Sequence, residues 1–272
     1  MPAGPAWLSS SPGIIAVVEI SQHIAAIRDA GRRLSAAAAE AGTDVAVPSC
    51  PEWVVRDLVR HQGGVHRWAA SIVGTPRTEA WNVDLPEVVG TWPDDADLLP
   101  WFDAGVEALA RVLTQADPGL FCWAFLPAPS PLAMWARRQA HETSVHGVDA
   151  ELAAGRPVTP FPLALAADGV GELLEGFVPR GRRLRSDPVT TLRVRCADVD
   201  AGWHLSIGPD GVQTARDGEA GDADGSADCV VTGSAEDLYL ALWNRRQASC
   251  LQVEGDSGVL DLFFDRVHIR WS

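Results

Sequence analysis

In the stretch HETSVH, Glu142 and His146 stand four residues apart, so on a helix they share one face with Cβ atoms roughly 5–6 Å apart. A carboxylate and an imidazole so placed can reach one divalent cation. A third ligand from another helix would complete a set of two histidines and one carboxylate with an open position, the arrangement of a catalytic rather than a structural zinc. His61, in RDLVRHQGGVH, is the expected third ligand, because a mid-helix residue there can face the middle of the helix that carries Glu142. The same spacing also suits a solvated Glu and His pair on an exposed face. His141 and His66 compete for the ligand roles on the same two helices. At 100° per residue His141 lies about 140° around from His146, so only one of them can share the site, and Glu142 is better matched to His146.

Four amphipathic segments are needed to position these residues. Ile20, Ile24, Ile27 and Leu34 mark a first helix over Ile14 to Ala41, stopped by Gly42. After a connecting loop, TDVAVPSCPEW, a second runs from about Val54 to Val73, with Val55, Leu58, Val59, Gln62, Val65 and Trp68 on one face. Asp94 and Asp95 are caps for a third over Leu98 to Gln115. Pro131 opens a fourth that ends near Ala154, before Gly155 and Pro157. Four long helices joined by loops predict a four-helix bundle. Beyond a boundary near Gly155 to Pro162 comes a helix at Leu163 to Phe177. Strand-like alternation follows in TTLRVRC, GWHLSI and DCVVTG, then a capped helix in SAEDLYLALWNRR, a last helix at Gly258 to Phe264 and a terminal strand VHIRW. GEAGDADGSAD reads as a surface turn. The fold class is α+β, in two domains, 1–158 and 159–272.

Composition narrows the chemistry further. The 272 residues carry 22 basic and 36 acidic side chains, a net charge of -14, and every basic one is arginine. Without lysine there is no Schiff base, no pyridoxal phosphate anchor and no lysine-bearing phosphate loop. An acidic chain without a basic stripe is a poor nucleic-acid partner. No uncharged apolar run reaches the roughly 18 residues of a membrane span. The five cysteines match no paired metal or redox spacing and are expected to be reduced thiols in a cytoplasmic protein.

The strings VPSCPEWVVRDLVRHQGGVHRWA and WARRQAHETSVHGVDAELAAG resemble, in order and separation, those of the mycothiol-dependent maleylpyruvate isomerase family. ADCVVTGSAEDLYLALWNRR and VEGD resemble that family's second domain. The resemblance implies a DinB-like metal-binding four-helix bundle followed by a smaller, sterol-carrier-like α+β domain. It also implies a divalent metal, zinc above all, held by His61, Glu142 and His146, and a mycothiol-like low-molecular-weight thiol as cofactor or co-substrate. Metal coordination would deprotonate the thiol at neutral pH, and the thiolate would add to a small electrophile. An arginine of the second domain is expected to hold an acidic substrate; the match is Arg245, with Arg246 as the alternative and a helix-terminal charge as the other use of either. For Arg137 and Arg138 the alternatives are a carboxylate of the thiol cofactor and acidic residues of the surface; Arg138 is expected to meet the cofactor and Arg137 the surface. The tryptophans around the ligands are expected to pack the bundle core, except Trp123, whose proline-rich loop is expected to line the pocket mouth. Val54 stands where the family often has a Ser or Thr cap. The implied activity is isomerisation of an unsaturated acid such as maleylpyruvate, or thiol S-transfer, by a monomer or homodimer. A non-catalytic ligand-binding protein and a metal-dependent hydrolase are the alternatives.

Overall fold

The computed structural model describes residues 18–81, 83–218 and 226–268. Its first half is built on four long helices: α1 (Ile20–Ala41), α2 (Val55–Gly74), α4 (Asp95–Gln115) and α5 (Pro131–Ala153), with a short α3 (Leu85–Val89) beside α2. α1 and α2 lie on one diagonal of the bundle and α4 and α5 on the other, so α5 packs against both α1 and α2. The core between them is aliphatic and aromatic, including Ile27, Leu34, Leu58, Ile72, Phe102, Leu109 and Trp135, all buried. The α2 N-terminus is closed without a hydroxyl at Val54, because the Asp57 carboxylate accepts the Val54 N–H at 3.0 Å. α5 starts as its sequence predicts, with Pro131 in the first turn and the Ser130 hydroxyl accepting the Ala133 N–H at 3.1 Å.

The segment expected to be a plain loop before α2 is a hairpin, β1 (Ala46–Val47) and β2 (Cys50–Val54). Two prolines in so short a stretch hide the strand alternation. The hairpin lays Ser49, Cys50 and Trp53 against α5 and α2.

The second half is a five-stranded sheet with helices: α6 (Leu163–Gly171) running into a π-helical turn at Glu172–Phe177, then β3 (Thr190–Cys196), β4 (Gly202–Gly208), β5 (Gly211–Arg216), β6 (Cys229–Gly233), α7 (Ala235–Leu242), β7 (Gln252–Gly255) and α8 (Ser257–Arg266). The strand order is β5-β4-β3-β6-β7, antiparallel except for the parallel β3–β6 pair. β5 and β7 were not foreseen; β7 is an exposed edge strand with no alternation of burial to betray it. Register puts Leu205, Leu192 and Cys229 in one row and Trp203, Val194 and Val231 in the next, and all six are buried. The expected helix start at Ile14, most of the GEAGDADGSAD turn and most of the VHIRW strand lie outside the described residues.

The apolar core divides into a bundle cluster and a C-terminal cluster, and Val145 and Val148 of α5 belong to the second. α5 is therefore covered on all sides, bundle on one and C-terminal domain on the other, and every residue from Arg138 to Glu151 is buried. The second domain docks partly through α6 and α7, which approach closely at Gly169. A Cβ built there would meet the Tyr239 ring at 2.3 Å, and that ring is held among Phe161, His141 and Trp243. Gly169→Ala is expected to cost about 1–3 kcal/mol through overpacking, read as a fall of several degrees in the thermal unfolding midpoint with little loss of helical circular dichroism.

Candidate metal centre

On α5 the Glu142 and His146 side chains project together toward α2, where His61 meets them. Glu142 Oε1 lies 3.5 Å from His61 Nε2 and 3.6 Å from His146 Nε2, and the three ligating atoms fall within 4.8 Å of one another. Ligands at 2.0–2.1 Å from a tetrahedral ion stand about 3.3–3.5 Å apart, so these separations fit an ion better than they fit direct hydrogen bonds. Glu142 is 2% and His146 0% exposed, which excludes a solvated pair. One carboxylate and two imidazoles thus fit a divalent cation with room for an exogenous ligand.

Each ligand is held from behind. Arg138, one turn before Glu142 on α5, donates Nε (3.1 Å) and Nη2 (2.6 Å) to Glu142 Oε2, which leaves Oε1 toward the histidines. Its Nη1 bonds Glu172, carried by the π-helical turn after α6. His146 Nδ1 is 2.8 Å from Asp149 Oδ2, so its Nε2 is the atom directed to Glu142 Oε1. Asp149 in turn accepts Arg245 Nε at 2.9 Å and Nη2 at 2.8 Å, and the Ser49 hydroxyl. The Trp53 ring of the hairpin lies over the pair of imidazoles, with centroids 4.8 Å from His61 and 5.9 Å from His146.

The electrostatics follow from this burial. Desolvation pushes the Glu142 carboxyl up, but the Arg138 charge and the bonds from His146 and His61 outweigh it and hold it well below the usual carboxylate range. Asp149 is likewise raised by burial and lowered further by Arg245 and His146, with a net downward shift. Burial lowers His61 and keeps it neutral, as a ligand must be. Burial also opposes a charge on His146, yet Asp149 and Glu142 on either side raise it. The two carboxylates that raise His146, Asp149 and Glu142, are the negative charges that a cation between the ligands would meet. The Cys50 thiol, 3.8 Å from Asp149, is pushed up to about 11 by burial and by that carboxylate, so it is no thiolate.

The other expected residues are placed differently. Arg245 does reach the site from the C-terminal domain, but its guanidinium is bound to Asp149 and its side chain is only 5% exposed. Arg246 pairs with Asp237 and Glu236. Arg138, expected to meet the thiol cofactor, is 1% exposed and bound to the protein's own carboxylates. Trp123 joins an aromatic cluster with Trp68, Phe125 and Trp135. That cluster sits at the Trp68 level of α2, roughly 10 Å along the axis from His61 at 1.5 Å per residue. Trp53 is the indole at the ligands. His66 is buried at the Gln62 and Thr143 level, where desolvation pushes it down to about 3.

His141, with His23 and Asp168, forms a second group, and His23 and Asp168 line a cavity of ≈ 510 Å³ together with Ser130, Arg137 and Arg216. There both imidazoles lie at hydrogen-bond distance from the same oxygen, Asp168 Oδ2, at 2.9 and 2.8 Å, and Arg137 Nε occupies it too at 3.1 Å. A carboxylate oxygen with three donors on it is satisfied by the protein itself. Sequence reasoning missed Asp149 and Trp53 at the first site. Asp149, three residues after His146 on the same helix, was the findable one.

Comparison with known proteins identifies both halves of the chain. The mycothiol maleylpyruvate isomerase N-terminal domain matches residues 24–151, and the C-terminal domain of the same family matches residues 164–262. Two solved structures of a mycothiol-dependent maleylpyruvate isomerase superpose on the chain. A variant of that enzyme gives a TM-score of 0.59 at 14% identity and the unmodified form 0.57 at 13%, each covering 87% of this chain and 93% of the other. At such identity they show a shared α+β fold. A ubiquinone synthesis protein described as UbiJ-SCP2 overlaps 39% of the chain at a TM-score of 0.27, too loose to support the sterol-carrier likeness. No curated protein sequence matches the chain.

Because Asp149 and Glu142 raise His146, a proton competes with an ion for its Nε2. Zinc titrated into the apoprotein is expected to release protons, with apparent affinity falling as pH drops; calorimetry in buffers of different ionisation enthalpy measures both. Asp149→Asn is expected to weaken zinc binding about 10–100-fold, checked by competition with a chromophoric chelator.

Proposed function

The chain belongs to the mycothiol maleylpyruvate isomerase family, and from that premise we propose that it is a divalent-metal-dependent enzyme using a low-molecular-weight thiol of the mycothiol type, either to isomerise an unsaturated compound or to transfer the thiol to an electrophile. The observation that carries this reading is the His61, Glu142 and His146 set, whose 3.5 and 3.6 Å separations suit an ion and which lies under an aromatic wall. When bound, the ion and the thiol supply a sulfur nucleophile at neutral pH that can add to a conjugated carbon and leave it again.

The protein's own groups have definite tasks. His61, Glu142 and His146 hold the ion. Asp149 keeps the proton on His146 Nδ1, so the Nε2 lone pair is the one offered. Arg138 compensates the Glu142 charge without occupying Oε1. Trp53 excludes water from one side of the imidazoles and offers a flat surface to a conjugated substrate. Zinc is the favoured ion because two imidazoles and one carboxylate are its usual catalytic donors.

Two further proposals accompany this. The division into domains at 158/159 is supported by family matches that end at 151 and resume at 164. A reducing compartment, the cytoplasm, is supported by five cysteines that are all free thiols. Among the described residues no helix is long and apolar enough to cross a membrane.

Purified protein is expected to hold about one zinc per chain, lost in His61→Ala, and to show thiol-dependent turnover that drops by at least 100-fold in His146→Ala. Unchanged activity in folded His146→Ala would remove the reading, and turnover of esters without any thiol would favour a hydrolase.

A further inference from the structure

We propose that the cavity between the end of the π-helical turn and the end of α8 is a second binding site, one that takes a small organic phosphate. The guanidiniums of Arg182, Arg183 and Arg266 line this cavity of ≈ 330 Å³ together with the His268 imidazole, and among the described residues no carboxylate lines it. None of His61, Glu142 and His146 borders it, so the proposal goes beyond the thiol-dependent reading and does not rest on it.

In a chain at -14 carboxylates are plentiful, and Arg28, Arg56, Arg216 and Arg246 each hold one. Arg182, Arg183 and Arg266 hold none among the described residues, although Asp187 and Asp265 stand close to them in sequence. The segment that presents the first two is pinned. The Gly181 N–H is shared between the carbonyls of Phe177 at 3.0 Å and Val178 at 3.1 Å, and Leu184 is anchored in the core. Arg185 turns back along the segment, its Nε donating to the Arg182 carbonyl at 3.1 Å and its Nη1 to the Pro209 carbonyl at 3.0 Å. Arg266 comes from the last turn of α8, where its charge also suits the helix dipole. Like charges gathered on one small cavity repel one another until an anion joins them.

Charge and shape select the ligand class. A phosphate ester, with about 1.5–2 negative charges and three acceptor oxygens, matches several uncompensated guanidiniums better than a single carboxylate does. Guanidinium forks bind its oxygens bidentately. The floor of the cavity is Phe177, Leu184 and Val267, an apolar surface that a bare inorganic anion would leave unused. The small enclosure also favours a small molecule over a macromolecule. A nucleic acid or an anionic membrane would extend past the arginines along a chain whose net charge repels it.

Calorimetric titration of the full-length protein with phenyl phosphate tests the site. Saturable binding at one site per chain is expected, about tenfold tighter than that of benzoate or inorganic sulfate. No saturable binding, or benzoate or sulfate bound as tightly, overturns the proposal, and so does a single-stranded oligonucleotide that binds more tightly than phenyl phosphate. The combined Arg182→Gln, Arg183→Gln and Arg266→Gln substitutions, all at exposed positions, are expected to weaken binding about tenfold or more, whereas His61→Ala leaves it unchanged. Binding that survives the arginine substitutions, or that is lost in His61→Ala, would put the phosphate elsewhere and remove the second site. In the wild-type protein, amide hydrogen exchange is expected to slow at 177–184 and 263–268 when phenyl phosphate binds. Unchanged exchange there overturns the proposal even if the arginine variant does not fold. Thiol-dependent turnover enters none of these readouts, so failure here leaves the functional reading standing.

Discussion

The structure depends on the compensation of charge along one buried helix. From Arg138 to Glu151 α5 is enclosed on every side, and yet this stretch carries Arg138, His141, Glu142, His146 and Asp149. Isolated, each charged member would cost several kcal/mol to bury. None is isolated: Arg138 meets Glu142 and Glu172, His141 meets Asp168 and Tyr239, and Asp149 meets His146 and Arg245. The helix can occupy the centre of the molecule only because its polar residues find their counterparts there.

Those counterparts come largely from the second domain. Glu172 comes from the π-helical turn, Asp168 from α6, Tyr239 from α7 and Arg245 from the turn after α7. Docking of the C-terminal domain thus fixes the charge state and orientation of groups whose ligating atoms face the bundle. Arg245 acts on the ion-binding atoms through Asp149 and His146 as a positioning residue. The hairpin β1–β2 contributes Ser49 to the same carboxylate and sets Trp53 against the imidazoles. Local backbone irregularities, the hairpin and the π-helical turn, sit where these contacts are made.

The two clusters of histidine and carboxylate to which α5 contributes show why residue type alone underdetermines chemistry. Both contain two histidines and one carboxylate, and both have an arginine on the carboxylate. In one, the arginine takes Oε2 and leaves Oε1 spaced from both imidazoles by ligand-edge distances. In the other, arginine and imidazoles crowd onto a single oxygen at hydrogen-bond distances. The first arrangement invites a cation and the second replaces one.

The helices of the bundle, the break into an α+β second half and the pairing of Glu142 with His146 were legible in the sequence, because each depends on periodicity or on a spacing of four along one helix, whereas His61, on another helix, was singled out by the family resemblance. The hairpin before α2 and the strands β5 and β7 were not, since short edge pairings lack a hydrophobic alternation of their own. The uses of Arg138, Arg245 and Trp123 were not legible either. Whether an arginine is open to a ligand or tied to a carboxylate depends on which partner lies beside it, and the partners of Arg245 and Glu172 are separated from them by 96 and 34 residues of chain. Sequence by itself determined which residues share a helix face, a property of local geometry. Only the tertiary structure decided which charges meet, because compensation of buried charge is set by packing between segments that no local pattern relates.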